Sequence, residues 1–402
     1  MKKVRLVALG LATTLALASL AGCQSKSETD TTQGTDTNTD TSTDSSANTD
    51  SSANAGGETY VIGGIGPLTG DAASYGISVK QGAEIAIKEI NDAGGVKVGD
   101  KTLQLSLKFE DDQATPDKAV TAYNSLMDSK MDALLGAVTS GSCLAVANLA
   151  QEDDILMLTP SGSAQDITKN TNVFRLCFTD PLQGETMAEH MITDLKFKNV
   201  AVIYKNSDEY STGVYEAFAK KVAELGGTIT TAEAFADGED FNTQLTSIKG
   251  TDAEAIFAPI YYGDASHIVT QAADLSMTLP FFGSDGWDGI LDTVTDKATV
   301  EGATFLSPFF SGDKAAADFV TKYNEAYKAT PDQFAADGYD GVYVIKAALE
   351  KAASTKTADL VKAMTEISVD GLTGEEISFT EDGEPQKAAK FIKIVNGEYT
   401  AE

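Results

Sequence analysis

From Glu58 onward, short apolar runs alternate with stretches in which apolar residues recur every third or fourth position. The run "TYVIGGIGP" reads as a buried strand. "SYGISVKQGAEIAIKEINDAGG" reads as a helix, because Val79, Ala83, Ala86 and Ile90 share one face and Gly94-Gly95 stops it. "LQLSLKFED" predicts a strand, and "TPDKAVTAYNSLMDS" a helix with Thr115 as cap and Pro116 in its first turn. "DALLGAV" then leads into "SGSCLAVANLAQ", and "ILMLTP" into "SGSAQD". Buried strands alternating with amphipathic helices imply a doubly wound α/β sheet.

After "NVFRLCF" the rhythm restarts near Asp180, with helices around "LQGETMAEHMITDL", "TGVYEAFAKKVAEL" and "ASHIVTQAADLS" between the strands "NVAVIY", "TITTAEAF", "AEAIFAPI" and "PFFGSDG". Beyond Phe309 come two long helices, "AAADFVTKYNEAYKA" and "DGYDGVYVIKAALEKAAS", and a third around "TADLVKAMTEI". The ending, from "EEISFTEDGEP" to "FIKIVNGEY", predicts a β-hairpin with Asp382-Gly383 in its turn. Roughly 345 residues are more than one core usually serves, so two α/β domains are expected.

The stretch before Glu58 has a different character. Lys2, Lys3 and Arg5 precede an uncharged run from Leu6, and small residues lead to Cys23 in "LAGC". This is the layout of a secretory signal over residues 1–22, too short to span a bilayer. "LAGC" resembles the bacterial lipobox, which implies a lipid on Cys23 as the first mature residue. From Gln24 to Gly57 the chain holds no aromatic and no branched aliphatic residue, so this linker, 23–57 with the cysteine, is expected to be disordered, with a root-mean-square reach of about 30 Å.

The formal net charge is −30, and loss of the leader's three basic residues makes it more negative still. That argues against nucleic acid and against charge-driven binding to anionic lipid. Cys143 and Cys177 are the remaining cysteines; one disulfide and two buried free thiols are equally consistent with their spacing.

Several motifs carry less than they first offer. "GGIGPLTG" is no phosphate loop: no Gly-Lys-Ser/Thr follows, and Pro67 removes an N–H from the turn. The clusters "EDD", "QEDD" and "DGED" lack the alternating acids of a calcium loop. His190 and His267 sit on separate predicted helices, and no Gly-x-Ser-x-Gly elbow occurs, which leaves a serine hydrolase without an assignable base.

What remains is a set of polar residues placed after strands, where ligands bind in open α/β sheets. Ser140 and Ser163 each precede a predicted helix, either as caps or as part of an anion site. In the second unit "FFGSDGWDG" ends a strand in Asp285, and "APIYYG" ends another in Tyr261 and Tyr262. A carboxylate opposite two anion-friendly helix ends would suit a zwitterion; a turn or cap role for Asp285 is the other reading.

In their order and spacing, "GPLTGDAASYG", "KQGAEIAIKEINDAGG", "FEDDQATPDKAV", "ILMLTPSGS", "DEYSTGVYEAF" and "FFGSDGW" resemble the extracytoplasmic solute-binding proteins of branched-chain amino acid ABC transporters. The resemblance implies the type I periplasmic-binding-protein fold: two doubly wound α/β lobes joined by three hinge crossovers around a ligand cleft. The lobes would be 58–179 plus 308–372 and 180–307 plus 373–402. It further implies that Ser140 and Ser163 hold the ligand carboxylate, that Ser161 contributes its backbone, and that Asp285 receives the ammonium. Tyr75, Tyr210 and Tyr261 would border the pocket.

The chain departs from the family's best-known members with Ser-Gly-Ser at 161–163 in place of Ala-Ala-Thr, and with Asp285 in place of Glu. Trp287 is placed to fill the room left by the shorter acid. Leu, Ile and Val are the first expected ligands, other amino acids and amides the next. A lipid-anchored, extracytoplasmic monomer is implied, with no catalysis, no cofactor and a membrane permease as partner. A sensor of the same fold is the alternative function, and an extracellular hydrolase the remote one.

Overall fold

The computed structural model describes residues 58–402. The expected leader, Cys23 and the polar linker lie outside the described residues.

The first sheet contains Glu58–Gly66 (β1), Val96–Val98 (β2), Lys101–Asp111 (β3), Ala133–Gly136 (β4), Leu156–Thr159 (β5) and Val173–Arg175 (β6). Their order is β2-β3-β1-β4-β5-β6, parallel except for β2. Strands β4 and β5 are buried at every position, as predominantly apolar runs are in a sheet covered on both faces. Helices Ala73–Asp92 (α1), Pro116–Asp128 (α2) and Ser140–Glu152 (α3) make the crossovers. Thr115 takes the cap position of α2, but its hydroxyl donates to the Asp112 carbonyl, 3.1 Å, instead of capping the helix.

Beyond β6 the chain builds a second sheet. Helices Asp180–Glu189 (α4), Glu209–Glu224 (α5), Asn242–Lys249 (α6), Tyr262–Asp274 (α7) and Ile290–Thr293 (α8) alternate with strands Asn199–Lys205 (β7), Thr228–Phe235 (β8), Ala255–Ala258 (β9), Phe281–Gly283 (β10) and Thr304–Ser307 (β11). Strands β7 to β11 are parallel to one another. Helices Ala317–Tyr327 (α9), Gln333–Ala352 (α10) and Thr357–Met364 (α11) return to the first unit, where Val342, Ile345, Leu349, Leu360 and Met364 share a core with Ile62, Leu135 and Leu158. The backbones of α1 and α10 nearly touch: a Cβ on Gly82 would lie 1.8 Å from the Ala335 carbonyl oxygen, and one on Gly338 2.1 Å from that of Val79.

The terminal hairpin differs from expectation. Its strands are Lys390–Val395 (β12) and Glu398–Ala401 (β13), added antiparallel to β11, and its turn is Asn396-Gly397 with φ of 55° and 72°, the double left-handed geometry that two-residue hairpins favour. Asp382-Gly383 lies in a smaller turn, closed by Gly383 N–H to Thr380 C=O at 3.0 Å and one isolated bridge, Phe379 to Pro385. Ile377 and Phe379 bury in the first unit's core, and Glu384 pairs with Arg175 of β6. The third passage between the units therefore lies beyond Glu384, later than a boundary at 372 places it.

Cys143 and Cys177 are buried free thiols, not a disulfide. Burial pushes the Cys143 thiol up to about 12.

Candidate ligand-binding site

The carboxyl ends of both sheets face one small cavity, lined by Tyr75, Ser140, Ser161 and Ser163 from the first unit and Tyr210, Tyr261 and Asp285 from the second. All seven residues singled out in the sequence thus come together. Four further residues also line it: Val138, Thr139, Gly286 and Phe334. His190 stacks on Phe391 at 4.1 Å and His267 is exposed on α7, so neither serves this cavity.

The serine wall is more tightly wired than two helix ends would be. Ser140 is the first residue of α3, and its hydroxyl oxygen accepts the N–H groups of Ser163 and Ala164, both at 3.1 Å. These N–H groups are not free at a helix end, because the helix that follows is a single 3-10 turn, Gln165–Lys169. With its oxygen so engaged, the Ser140 O–H proton is left to point outward. The Ser161 hydroxyl donates to the Val138 carbonyl at 2.8 Å.

Gly162 is required at its position. A Cβ there would lie 2.4 Å from Cys143 Sγ and 2.8 Å from Thr159 Oγ1. Gly162→Ala should therefore destabilise the fold by about 1–3 kcal/mol through overpacking, seen as a lower melting temperature. Combining it with Cys143→Ala should restore part of the loss, and no restoration would show that the strain lies elsewhere. The Ser-Gly-Ser departure is thus matched to a cysteine beneath it.

Opposite stands Asp285, 5% exposed. Its carboxylate accepts from the Tyr210 hydroxyl at 2.6 Å, and its own N–H donates to Gln183 Oε1 at 2.9 Å. Burial raises its pKa to about 6, against the lowering effect of the Tyr210 bond. Aromatic rings close the sides: Tyr75 packs on Phe334 with centroids 4.1 Å apart, and Tyr210 lies parallel to Tyr261 at 4.9 Å. The Tyr75 hydroxyl donates to the Gly286 carbonyl at 2.5 Å, joining the units across the cavity.

Trp287 does not fill the room beside Asp285. Its indole N–H donates to the Ala258 carbonyl at 2.8 Å and its ring packs over Gly283, within the second unit's core. It supports the turn from behind.

Two neighbours escaped the sequence reading. Asp180, 1% exposed, donates its N–H to the Ser163 carbonyl at 2.9 Å, yet neither carboxyl oxygen has a hydrogen-bond partner among the described residues. Burial, opposed by the nearby Ser163 hydroxyl and reinforced by the charge of Asp285, holds that carboxyl well above the usual range. Gln183, one turn on, has an equally unpartnered Nε2. In sequence "TDPLQG" reads only as a capped helix start, and Thr179 does cap α4.

The described residues contain no group of three His, Cys, Asp or Glu side chains that could hold a metal ion. The chemistry present is recognition: hydroxyls on one wall, buried acids on the other, and aromatic rings between. The family model for periplasmic binding proteins matches residues 59–398. The chain belongs to the periplasmic binding protein family. Among its relatives is "Leu/Ile/Val-binding protein homolog 3" of Brucella melitensis, 32% identical over 75% of this chain and 82% of that protein. The crystal structure of a leucine-binding protein from Thermotoga maritima is similar at 28% identity with a TM-score of 0.78, covering 86% of this chain and 98% of that one. A branched-chain amino acid transporter substrate-binding protein of Streptococcus pneumoniae, solved in complex with isoleucine, is similar at 28% identity with a TM-score of 0.80, covering 86% and 99%. As in these relatives, the fold of this binding protein is the type I arrangement of two α/β lobes.

Proposed function

We propose that the protein captures a branched-chain amino acid in this cleft and hands it to the permease of an ABC importer, without chemistry of its own. The observation that carries the reading is the division of the cavity: hydroxyl-bearing Ser140 and Ser163 on one lobe face buried Asp285 on the other. Ser140 and Ser163 hold the ligand carboxylate, Ser161 lends its backbone, and Asp285, supported by Tyr210 and Gln183, receives the ammonium. Tyr75, Tyr210 and Tyr261, with Phe334, enclose the aliphatic side chain. The relatives named for leucine, isoleucine and valine, and the isoleucine complex, support the choice of ligand.

Because the ligand touches both lobes, it favours the closed form by its differential affinity for it. The lipid on Cys23 would tether a monomer to the outer face of the membrane through the 23–57 linker. Calorimetric titration of the purified protein with the amino acids and their amides tests the ligand. L-leucine, L-isoleucine or L-valine should bind best, and isoamylamine and 4-methylvalerate, each lacking one charge, should bind at least about a hundredfold more weakly. Preference for an uncharged or singly charged solute would sink the assignment.

A further inference from the structure

The turn Asp285–Trp287 belongs to the second lobe, fixed there by the Trp287 indole. Its cavity side carries the Asp285 carboxylate, while the other lobe holds its backbone. Gln333, first residue of α10, donates its side-chain N–H to the Asp285 carbonyl at 2.6 Å. The backbone N–H of the same Gln333 donates to Asp288 Oδ2 at 2.9 Å. Asp288, from the second lobe, therefore sits at the N-terminus of a 20-residue helix of the first, where a carboxylate is favoured. These bonds join the two lobes.

We propose that the Asp285–Asp288 turn is a closure latch, with Gln333 and Asp288 as positioning residues that set how readily the cleft closes on any ligand. The proposal rests on the amino-acid-binding reading of the same cleft. Asp288 is only 5% exposed and is set against further acids. Asp332, cap of α10, accepts from Ser78 Oγ at 2.7 Å and Ala335 N–H at 2.9 Å; Asp285 lies on the same turn and Asp292 on α8, and the Tyr75 and Tyr399 hydroxyls complete the surround. Lys297, on the adjoining groove, directs its ammonium to the Gly397 carbonyl at 3.5 Å. Burial and then the Asp332 charge hold the Asp288 carboxyl well above its usual range. On opening, water returns and the value falls. Closure accordingly takes up a proton, so closure and affinity strengthen as pH falls through the closed-form value and weaken as it rises.

Titrations with L-isoleucine, L-leucine and L-valine between about pH 6.5 and 8.5 test this. Wild-type affinity should decline with rising pH, by at most about tenfold per unit, and Asp288→Asn should flatten the decline. Gln333→Ala should weaken all three ligands by one common factor, about three- to tenfold, without changing their order. An unaltered slope in Asp288→Asn, or a reordered panel in Gln333→Ala, overturns the latch. If nothing in the panel binds, the capture reading fails, and small-angle scattering of the ligand-free protein still decides the latch. The wild type should become more compact at the lower pH and Asp288→Asn should not; equal responses would refute it.

Discussion

Asp285→Asn should lower the affinity for L-isoleucine by roughly a hundredfold or more at pH 7.5 while making the empty protein more stable. The first effect follows from geometry: the ligand ammonium would lose the one formal charge among the described residues that line the cavity, and truncating one partner of a buried ion pair costs about 2–5 kcal/mol. The second follows from burial. In the empty fold the Asp285 carboxyl titrates near 6, above its unfolded value of about 3.9. A carboxyl raised in the folded state contributes stability only at low pH, and that contribution is lost as pH rises through 6. At pH 7.5 its ionised form is a burden of about 2–3 kcal/mol, absent in asparagine. Thermal unfolding should show a higher melting temperature for the variant at pH 7.5 and little difference at pH 4.

The same carboxylate governs binding in acid. The ammonium prefers ionised Asp285, so affinity is complete above about pH 6 and falls below it as the proton competes. That slope is opposite in sign to the one expected from Asp288, and together they predict strongest capture near pH 6, declining as pH rises from there. Unchanged affinity in Asp285→Asn, checked by calorimetry, would remove Asp285 from the ammonium site and leave Asp180 as the buried acid to test.

The parts of this architecture legible in the sequence are those governed by local periodicity and by position after a strand. Buried β4 is an unbroken apolar run and β5 is one that ends in Thr159, and Ser140, Ser163 and Asp285 follow strand ends, where open sheets bind ligands. The roles lent by resemblance cover the same positions. What was not legible depends on contacts far apart in the chain. Nothing in "TDPLQG" shows that Asp180 lies against Ser163 with both oxygens unpaired. The path of residues 373–384 is set by Ile377, Phe379 and Glu384 meeting a core and an arginine roughly two hundred residues earlier, and "EDG" is as good a local turn signal as "NG". Trp287 reads as a cavity wall because it lies near Asp285 in sequence, but two residues along a 3-10 turn carry a side chain to a different face.

Arg175→Leu should cost about 3–5 kcal/mol, because it leaves a half-buried acid and a ring of buried carbonyls without their partner. Arg175 is completely buried at the end of β6. Its Nη1 donates to the carbonyls of Gly162 at 3.2 Å and Ala164 at 2.9 Å, and its Nη2 to that of Gln165 at 3.1 Å. Its Nε lies 2.8 Å from Glu384 Oε2. The guanidinium thus turns the carbonyls of the serine loop inward, so that the loop's N–H groups at 163 and 164 turn toward Ser140. A point-charged ammonium lacks this fork, so Arg175→Lys should recover part of the stability but not the loop. Its affinity for L-leucine, measured well below the melting temperature, should remain reduced at least about tenfold, the worth of one misplaced hydrogen-bonding group. Glu384→Gln keeps a hydrogen-bond acceptor and should lose less of both stability and binding. If Arg175→Lys binds L-leucine as the wild type does, the loop holds its shape without the fork, and the arginine serves only to anchor the last crossover.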